Sequence, residues 1–140
     1  MLAGFLITLG LTLVLASCDE SISEKAEVTE RAPEGITLAS GSFEGRSDHV
    51  VTGGVTIVES GGTFFVNLAE DFSLDEAPAP RVGLGMDGYK KETSAGALKG
   101  KTGASSYELP AGVNPKDFNE VYIWCDKFDV PLGVAKLSSE

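Results

Sequence analysis

The sequence predicts an all-β fold, an antiparallel β-sandwich or barrel of short strands. From about Gly41 onward, β-branched and aromatic runs alternate with turns rich in Gly, Pro, Asn and Asp. No segment of this part shows a convincing helical period of apolar residues. Many short strands separated by turn residues are typical of antiparallel sandwiches and barrels. We therefore expect one all-β domain over residues 40–140.

The clearest local element is a hairpin in the stretch GGVTIVESGGTFFVNL. Val55 and Ile57 alternate with residues of the opposite face, and Gly61 and Gly62 can adopt the positive φ angles of a tight turn. Shorter strand candidates follow in RVGLGM, AGALKG, SYELP, EVYIWC and VPLGVAKL. One helical turn is predicted in NPKDF, because Asn and Pro suit a helix start.

The first seventeen residues, MLAGFLITLGLTLVLAS, predict an export signal because they are uncharged and mostly apolar. The following LASC resembles the lipobox of bacterial lipoproteins, in which a diacylglycerol thioether forms on the cysteine before the preceding peptide bond is cut. We expect a lipoprotein signal peptide over residues 1–17 and acyl chains, palmitate among them, on Cys18. Two or three such chains hold a protein durably on a membrane.

Two other interpretations of this segment stay open. A transmembrane anchor needs about twenty apolar residues followed by Lys or Arg, whereas CDESISE is acidic. A plain secretory signal with an incidental cysteine is the second. The apolar run also lacks a preceding Lys or Arg, which leaves open whether Met1 is the true start. Lipidation would place the protein on the extracytoplasmic side of a bacterial membrane, and Asp19 favours inner-membrane retention in a diderm envelope.

Residues 18–39 predict a flexible acidic tether, because they are rich in Glu, Ser and Thr and contain no aromatic residue. The whole chain carries 11 basic and 21 acidic side chains, a net charge of −10. Such a chain has no basic stripe to neutralise phosphates, so we expect no nucleic-acid partner.

Two long segments carry a family resemblance: SFEGRSDHVVTGGVTIVESGGTFFVNLAEDF and GALKGKTGASSYELPAGVNPKDFNEVYIWCDKFDVPLGVAKL. Together they resemble the electron-transfer DM-thirteen domain, a β-rich module that accompanies DOMON domains in animals and can stand alone behind a lipobox in bacteria. The similarity spans about Ser40 to Leu137. The most specific matches are Leu98, Lys99, Tyr107, Leu109, Pro110, Val121, Ile123, Trp124, Cys125, Phe128, Val130, Gly133 and Ala135. The middle segment APAPRVGLGMDGYKKE departs from the family, because it lacks a long β-branched strand.

The resemblance implies a redox role that rests on Cys125. Alternation along EVYIWC places this cysteine on one face with Val121 and Ile123, and that apolar face should be the core side. A core thiol is shielded from water, which disfavours the reactive thiolate. Tyr122 and Trp124 point the other way, as an exposed aromatic ledge or, as we expect, under a second sheet. Both a reactive thiol and a packing role stay open for Cys125.

The side-chain inventory argues against bound redox metals. One His and one Met after the signal segment cannot build a blue-copper centre, and iron–sulfur clusters and structural zinc need more Cys and His ligands. Cys125 or His49 could ligate a haem, but no C-x-x-C-H sequence is present. We therefore expect no metal site, and neither haem nor another cofactor is evident. If Cys18 carries lipid, Cys125 also lacks a disulfide partner within the chain.

The remaining candidates are weaker. His49 could be a ligand or proton carrier, although a lone His is more often a hydrogen-bonded structural residue. The acidic stretch AEDFSLDEA could hold Ca²⁺, although its spacing is not that of an EF-hand. Ser105 and Ser106 fall in no triad motif, and the glycines form no P-loop.

Two functions follow from these observations. The first is an accessory redox module in which Cys125 exchanges electrons, binds a cofactor or forms a mixed disulfide with an envelope partner. The second is a non-catalytic binding or scaffolding module of the cell envelope in which Cys125 is core packing. In neither case do we expect an enzyme on its own.

Overall fold

The computed structural model describes residues 32–140, which form strands, turns and two single-turn 3₁₀ helices. The strands of this part are β1 (Ile36–Gly45), β2 (Val51–Thr52), β3 (Gly54–Ser60), β4 (Thr63–Leu68), β5 (Ser73–Leu74), β6 (Pro80–Gly85), β7 (Gly96–Ala97), β8 (Ser105–Glu108), β9 (Glu120–Cys125), β10 (Val130–Lys136) and β11 (Ser138–Ser139). The 3₁₀ turns cover Lys91–Thr93 and Pro115–Asp117. Across residues 32–140 no helix has the length and apolar character needed to cross a membrane.

The predicted signal peptide, Cys18, Asp19 and most of the predicted tether lie outside the described residues. The first strand begins at Ile36, upstream of the predicted domain start at residue 40. Ile36, Thr37 and Ala39 pair with β3, so the last part of the predicted tether belongs to the sheet. ITLA can join the sheet because it is apolar and β-branched, and its pairing with β3 outweighs the acidic and polar sequence before it.

The strands form one curved antiparallel sheet in the order β7-β6-β9-β10-β1-β3-β4-β8, and β11 pairs with β1. Strand β1 joins the two halves, because Ile36–Ser42 pair with β3 and Phe43–Gly45 pair with β10. The sheet therefore wraps around the core as a nearly closed barrel, with β2 and β5 as a separate small ribbon. The predicted all-β fold is confirmed.

Several predicted local elements are confirmed. Strands β3 and β4 form the hairpin, and its turn residues Gly61 and Gly62 have φ angles of 59° and 84°. These positive values are those that a tight hairpin turn demands and glycine tolerates. The predicted helical turn also forms: the Asn114 side chain accepts a hydrogen bond from the Lys116 backbone N–H at 3.0 Å.

The two ends of the barrel wall are joined by side chains. The Tyr107 hydroxyl on β8 accepts hydrogen bonds at 2.9 Å from the Lys99 backbone N–H, which follows β7, and from the Ser105 hydroxyl. The Lys99 ammonium donates to the Ser106 carbonyl at 2.6 Å and lies 5.1 Å from the centre of the Tyr107 ring. Tyr107 is buried, so this contact closes the barrel from inside.

Candidate functional site

Cys125 is the last residue of β9, and its side chain points into the core. The residue is 1% exposed and shares its face with the fully buried Val121 and Ile123, as the alternation predicts. Its thiol donates a hydrogen bond to the Pro78 carbonyl at 3.2 Å. Its sulfur accepts one from the Phe128 backbone N–H at 3.4 Å. The sulfur therefore has both a donor and an acceptor role within the fold.

Two segments cover the thiol. The segment before β6 crosses above it, and the Ala79 carbonyl accepts a hydrogen bond from the Asp126 N–H at 3.1 Å. The turn between β9 and β10 closes from the other side, where the Asp129 N–H donates to the Cys125 carbonyl at 2.8 Å. A reagent or partner can reach the sulfur only after one of these segments has moved. Reaction at a thiol depends on such access as well as on the thiolate.

The opposite face of β9 carries an aromatic cluster formed by Tyr89, Tyr122 and Trp124. Tyr89 stacks on Trp124 with ring centroids 4.5 Å apart and an interplanar angle of 17°. Tyr122 meets both rings edge-on, at 6.0 Å from Tyr89 and 6.3 Å from Trp124. The prediction that a second sheet covers Tyr122 and Trp124 is wrong. Tyr89 comes from the loop after β6 and covers them instead.

Two glycines of β6 make room for this cluster. A Cβ atom at Gly83 would lie 2.5 Å from the Tyr89 ring, and one at Gly85 would lie 2.6 Å from the Tyr122 ring. Val82 and Leu84, which alternate with these glycines, are fully buried in the core. The sequence signal was therefore the alternation in RVGLG. It predicts a strand whose outer face has no side chains at these positions and can be covered by aromatic rings.

The polar groups of the cluster differ in whether they have a hydrogen-bond partner among the described residues. The Tyr122 hydroxyl donates to Glu120 Oε1 at 3.2 Å, and the same oxygen accepts the Gly88 N–H at 3.2 Å. The buried indole nitrogen Nε1 of Trp124 has no hydrogen-bond partner among residues 32–140. An unsatisfied buried donor is uncommon in a native fold.

Burial raises the pKa of both tyrosines in the cluster. For Tyr89, desolvation is the main cause, and a hydrogen bond with the Ser94 side chain acts against it. For Tyr122, desolvation again comes first, and the charge of Glu120 and the hydrogen bond to it raise the pKa further. Both phenols therefore keep their protons at neutral pH.

Thr93 holds the segment that carries Tyr89 against β6. This residue is fully buried, and its hydroxyl accepts the Leu84 N–H at 2.7 Å and donates to the Lys90 carbonyl at 2.6 Å. We expect Thr93→Val to lower the free energy of unfolding by about 1–2 kcal/mol, because the Leu84 N–H loses its acceptor. Urea unfolding measures this, with Thr93→Ser, which keeps the hydroxyl, as the control. Equal stability of the valine variant and the wild type would contradict the expectation.

The His49 side chain joins two loops through Asp75 and is not part of the aromatic cluster. Its Nδ1 lies 2.8 Å from Asp75 Oδ1, and the other oxygen of Asp75 accepts the Val50 N–H at 2.9 Å. In the same acidic stretch, Asp71 accepts the Gly54 N–H at 2.9 Å. These carboxylates serve as loop acceptors. In the described part of the chain, no three His, Cys, Asp or Glu side chains come together as a metal site.

The contacts of Asp75 predict a dependence of stability on pH. The Val50 N–H, and then the hydrogen bond to His49, lower the Asp75 pKa below its ordinary value of 3.8. The unfolded chain therefore binds the proton more readily. This stabilisation is present above pH 3.8 and is lost as the pH falls through the lowered value.

We expect Asp75→Asn to flatten the fall in stability with pH below 3.8. Unfolding in urea across acidic pH measures this. Glu76→Gln is the matched control, because the exposed ion pair between Glu76 and Lys101 contributes little to stability. An unchanged acid slope in Asp75→Asn would contradict the assignment.

The fold and site define a small antiparallel β-module with one inward thiol and one outward aromatic cluster on the same strand. The sequence model described as Electron transfer DM13 matches residues 42–137. The chain therefore belongs to the DM-thirteen electron-transfer domain family. Comparison with curated proteins and with solved structures returns no match.

The specific family residues now have defined positions. Lys99 and Tyr107 close the barrel between β7 and β8, and Cys125 and Trp124 lie on the two faces of β9. The divergent middle segment still provides a six-residue strand, β6, which pairs with β9 along its whole length.

Proposed function

We propose that this protein is an accessory electron-transfer module held by lipid on Cys18 at the extracytoplasmic surface of a bacterial membrane. Its membership in the DM-thirteen family supports the electron-transfer role. The lipobox-like LASC sequence supports the anchor, and Asp19 supports retention at the inner membrane of a diderm. It works with a redox protein of the envelope rather than as an enzyme on its own.

The burial of Cys125 supports a mode of electron transfer that does not use its sulfur. With 1% exposure and two hydrogen bonds to the sulfur, the folded state keeps Cys125 as a reduced core thiol. Redox chemistry at its sulfur, whether a mixed disulfide or a sulfenic acid, requires the segment that carries Pro78, or the turn that carries Phe128, to move away from the sulfur. The folded module therefore exchanges electrons without thiol–disulfide exchange.

The electron-transfer role is tested by electrochemistry of the full chain on a membrane-coated electrode with a soluble one-electron mediator. We expect reversible exchange of electrons in the wild type and in Cys125→Ala, once the folded fraction of each is equalised. Absence of any exchange in the wild type would contradict the proposed function. Loss of exchange only in folded Cys125→Ala would instead make the cysteine the redox group.

The anchor makes a separate prediction. We expect Cys18→Ala to move the protein from the membrane fraction to the soluble fraction, because two or three acyl chains account for durable attachment. Fractionation of cells followed by immunoblotting measures this, and Cys125→Ala is the matched control that keeps Cys18. Firm membrane attachment of Cys18→Ala would contradict lipid anchoring.

One observation favours the binding module as the second candidate. A groove of about 600 Å³ lies between the start of β1 and the loop around Phe118. Ile36 and Met86 line it and are 65% and 39% exposed. Groove substitutions such as Met86→Asp that abolish function while electron exchange is unchanged would support this candidate.

A further inference from the structure

The aromatic cluster differs from ordinary core packing because it joins two partly exposed rings to a buried one. Tyr89 and Trp124 are partly exposed, whereas Tyr122 is 8% exposed. The centroid separations of 4.5 to 6.3 Å keep every ring in contact with the other two. Tyrosine and tryptophan are also the aromatic side chains that release an electron most readily.

We propose that Tyr89, Trp124 and Tyr122 form a one-electron relay that begins at the partly exposed Tyr89–Trp124 stack and ends at Tyr122. This proposal rests on the proposed electron-transfer function and names the residues that perform it. The relay serves a high-potential one-electron oxidant, such as a high-valent metal centre or an organic radical of the envelope. Cys125, on the other face of β9, is not part of it.

In this relay one electron leaves the cluster, and one proton moves from Tyr122 to Glu120. The oxidant takes one electron from the Trp124 indole and is itself reduced by one electron, which leaves an indole radical cation. Tyr122 then returns one electron to the indole and becomes oxidised. Its phenolic proton moves along the 3.2 Å hydrogen bond to Glu120 Oε1, giving a neutral tyrosyl radical and a neutral carboxylic acid. A one-electron reductant of the envelope, such as a quinol, gives an electron to the tyrosyl radical, and Glu120 returns the proton to the phenolate oxygen.

The surroundings explain why the relay ends at Tyr122. Trp124 Nε1–H has no acceptor among the described residues, so its radical cation cannot pass a proton to a neighbouring side chain. The Tyr89 side chain interacts with the Ser94 side chain, whose hydroxyl accepts a proton less readily than a carboxylate does. Only Tyr122 combines ring contact with a carboxylate that accepts its proton.

Glu120 is held in place for this role. The Gly88 N–H donates to the same Oε1 atom that faces Tyr122, which fixes the carboxylate beside the phenol. Gly85 leaves the space that the Tyr122 ring occupies. Glu120 is thus a positioning and proton-accepting residue of the relay.

The test is flash oxidation of the full chain by photogenerated ruthenium(III) tris-bipyridine, followed by transient absorption and electron paramagnetic resonance. In the wild type we expect a tryptophan radical that converts to a neutral tyrosyl radical. In Tyr122→Phe we expect the tryptophan radical to persist. In Glu120→Gln, which keeps an acceptor oxygen but not the charge, we expect slower conversion by about tenfold, or about 1.4 kcal/mol in the barrier.

Tyr107→Phe is the matched control, because the sequence contains three tyrosines and Tyr107 lies outside the cluster. We expect this control, once shown to be folded by circular dichroism, to form the tyrosyl radical at the wild-type rate.

Tyrosyl radical formation at the wild-type rate in Tyr122→Phe, or an unchanged rate of conversion in Glu120→Gln, would overturn the relay. Electrode exchange that persists when Trp124→Phe and Tyr122→Phe are combined would also overturn it and leave the electron-transfer function standing. Absence of exchange in the wild type would overturn both.

Discussion

Tyr107→Ala is expected to lower the free energy of unfolding by about 3–5 kcal/mol, because it removes a large, almost fully buried ring. The same substitution removes the hydroxyl that accepts hydrogen bonds from Lys99 and Ser105 at the barrel closure. A small domain has roughly 5–15 kcal/mol of stability in all. The variant should therefore be close to unfolding at room temperature, as urea unfolding followed by tryptophan fluorescence would show.

Tyr107→Phe separates the two contributions, because it keeps the ring and removes only the hydroxyl. We expect a cost of about 1–3 kcal/mol from the loss of the closing hydrogen bonds. Glu108→Ala, on the exposed side of the same strand, is the control that should change stability little. If Tyr107→Ala and Glu108→Ala had the same stability, the closure would not depend on Tyr107.

Cys125→Ser is expected to cost about 1–3 kcal/mol and to leave the function of the folded fraction intact. The substitution places a shorter, more polar hydroxyl where the sulfur lies between Pro78 and Phe128. A reactive thiol would behave in the opposite way, since its replacement would abolish function and leave stability nearly unchanged. The comparison therefore requires stability and electron exchange from the same preparations.

Leu132→Ala provides the matched control for the cysteine, because Leu132 is a core residue with no redox chemistry. If loss of function followed loss of stability in both variants along one curve, Cys125 would be packing. A point for Cys125→Ser far below that curve would show a chemical role for the thiol.

Local alternation predicted the parts of the fold that depend on neighbouring residues. It placed Val121, Ile123 and Cys125 on the core face of β9 and found the Gly61–Gly62 turn, because side-chain direction and turn geometry follow from a few adjacent residues. It did not predict the start of β1 at Ile36, where pairing with β3 outweighs the polar sequence before it.

The candidate site depends more on contacts that are distant in sequence. The position of Cys125 followed from its strand, but its hydrogen bond to Pro78 joins residues 47 positions apart. The cover of Trp124 by Tyr89 depends on a loop whose path is fixed by Thr93 and Gly83. In the sequence, the alternating glycines of RVGLG are the signal for this cover, because they leave an outer face of the strand that other side chains must cover.

The most direct test of the account is the rate at which a maleimide labels Cys125 in the full chain carrying Cys18→Ala. The rate is compared between native buffer and denaturant, across pH. The account predicts that labelling is fast only in denaturant, because the sulfur lies beneath Pro78 with 1% exposure. Fast native labelling with a midpoint well below about pH 8.5 would show an exposed, activated thiolate and contradict the account.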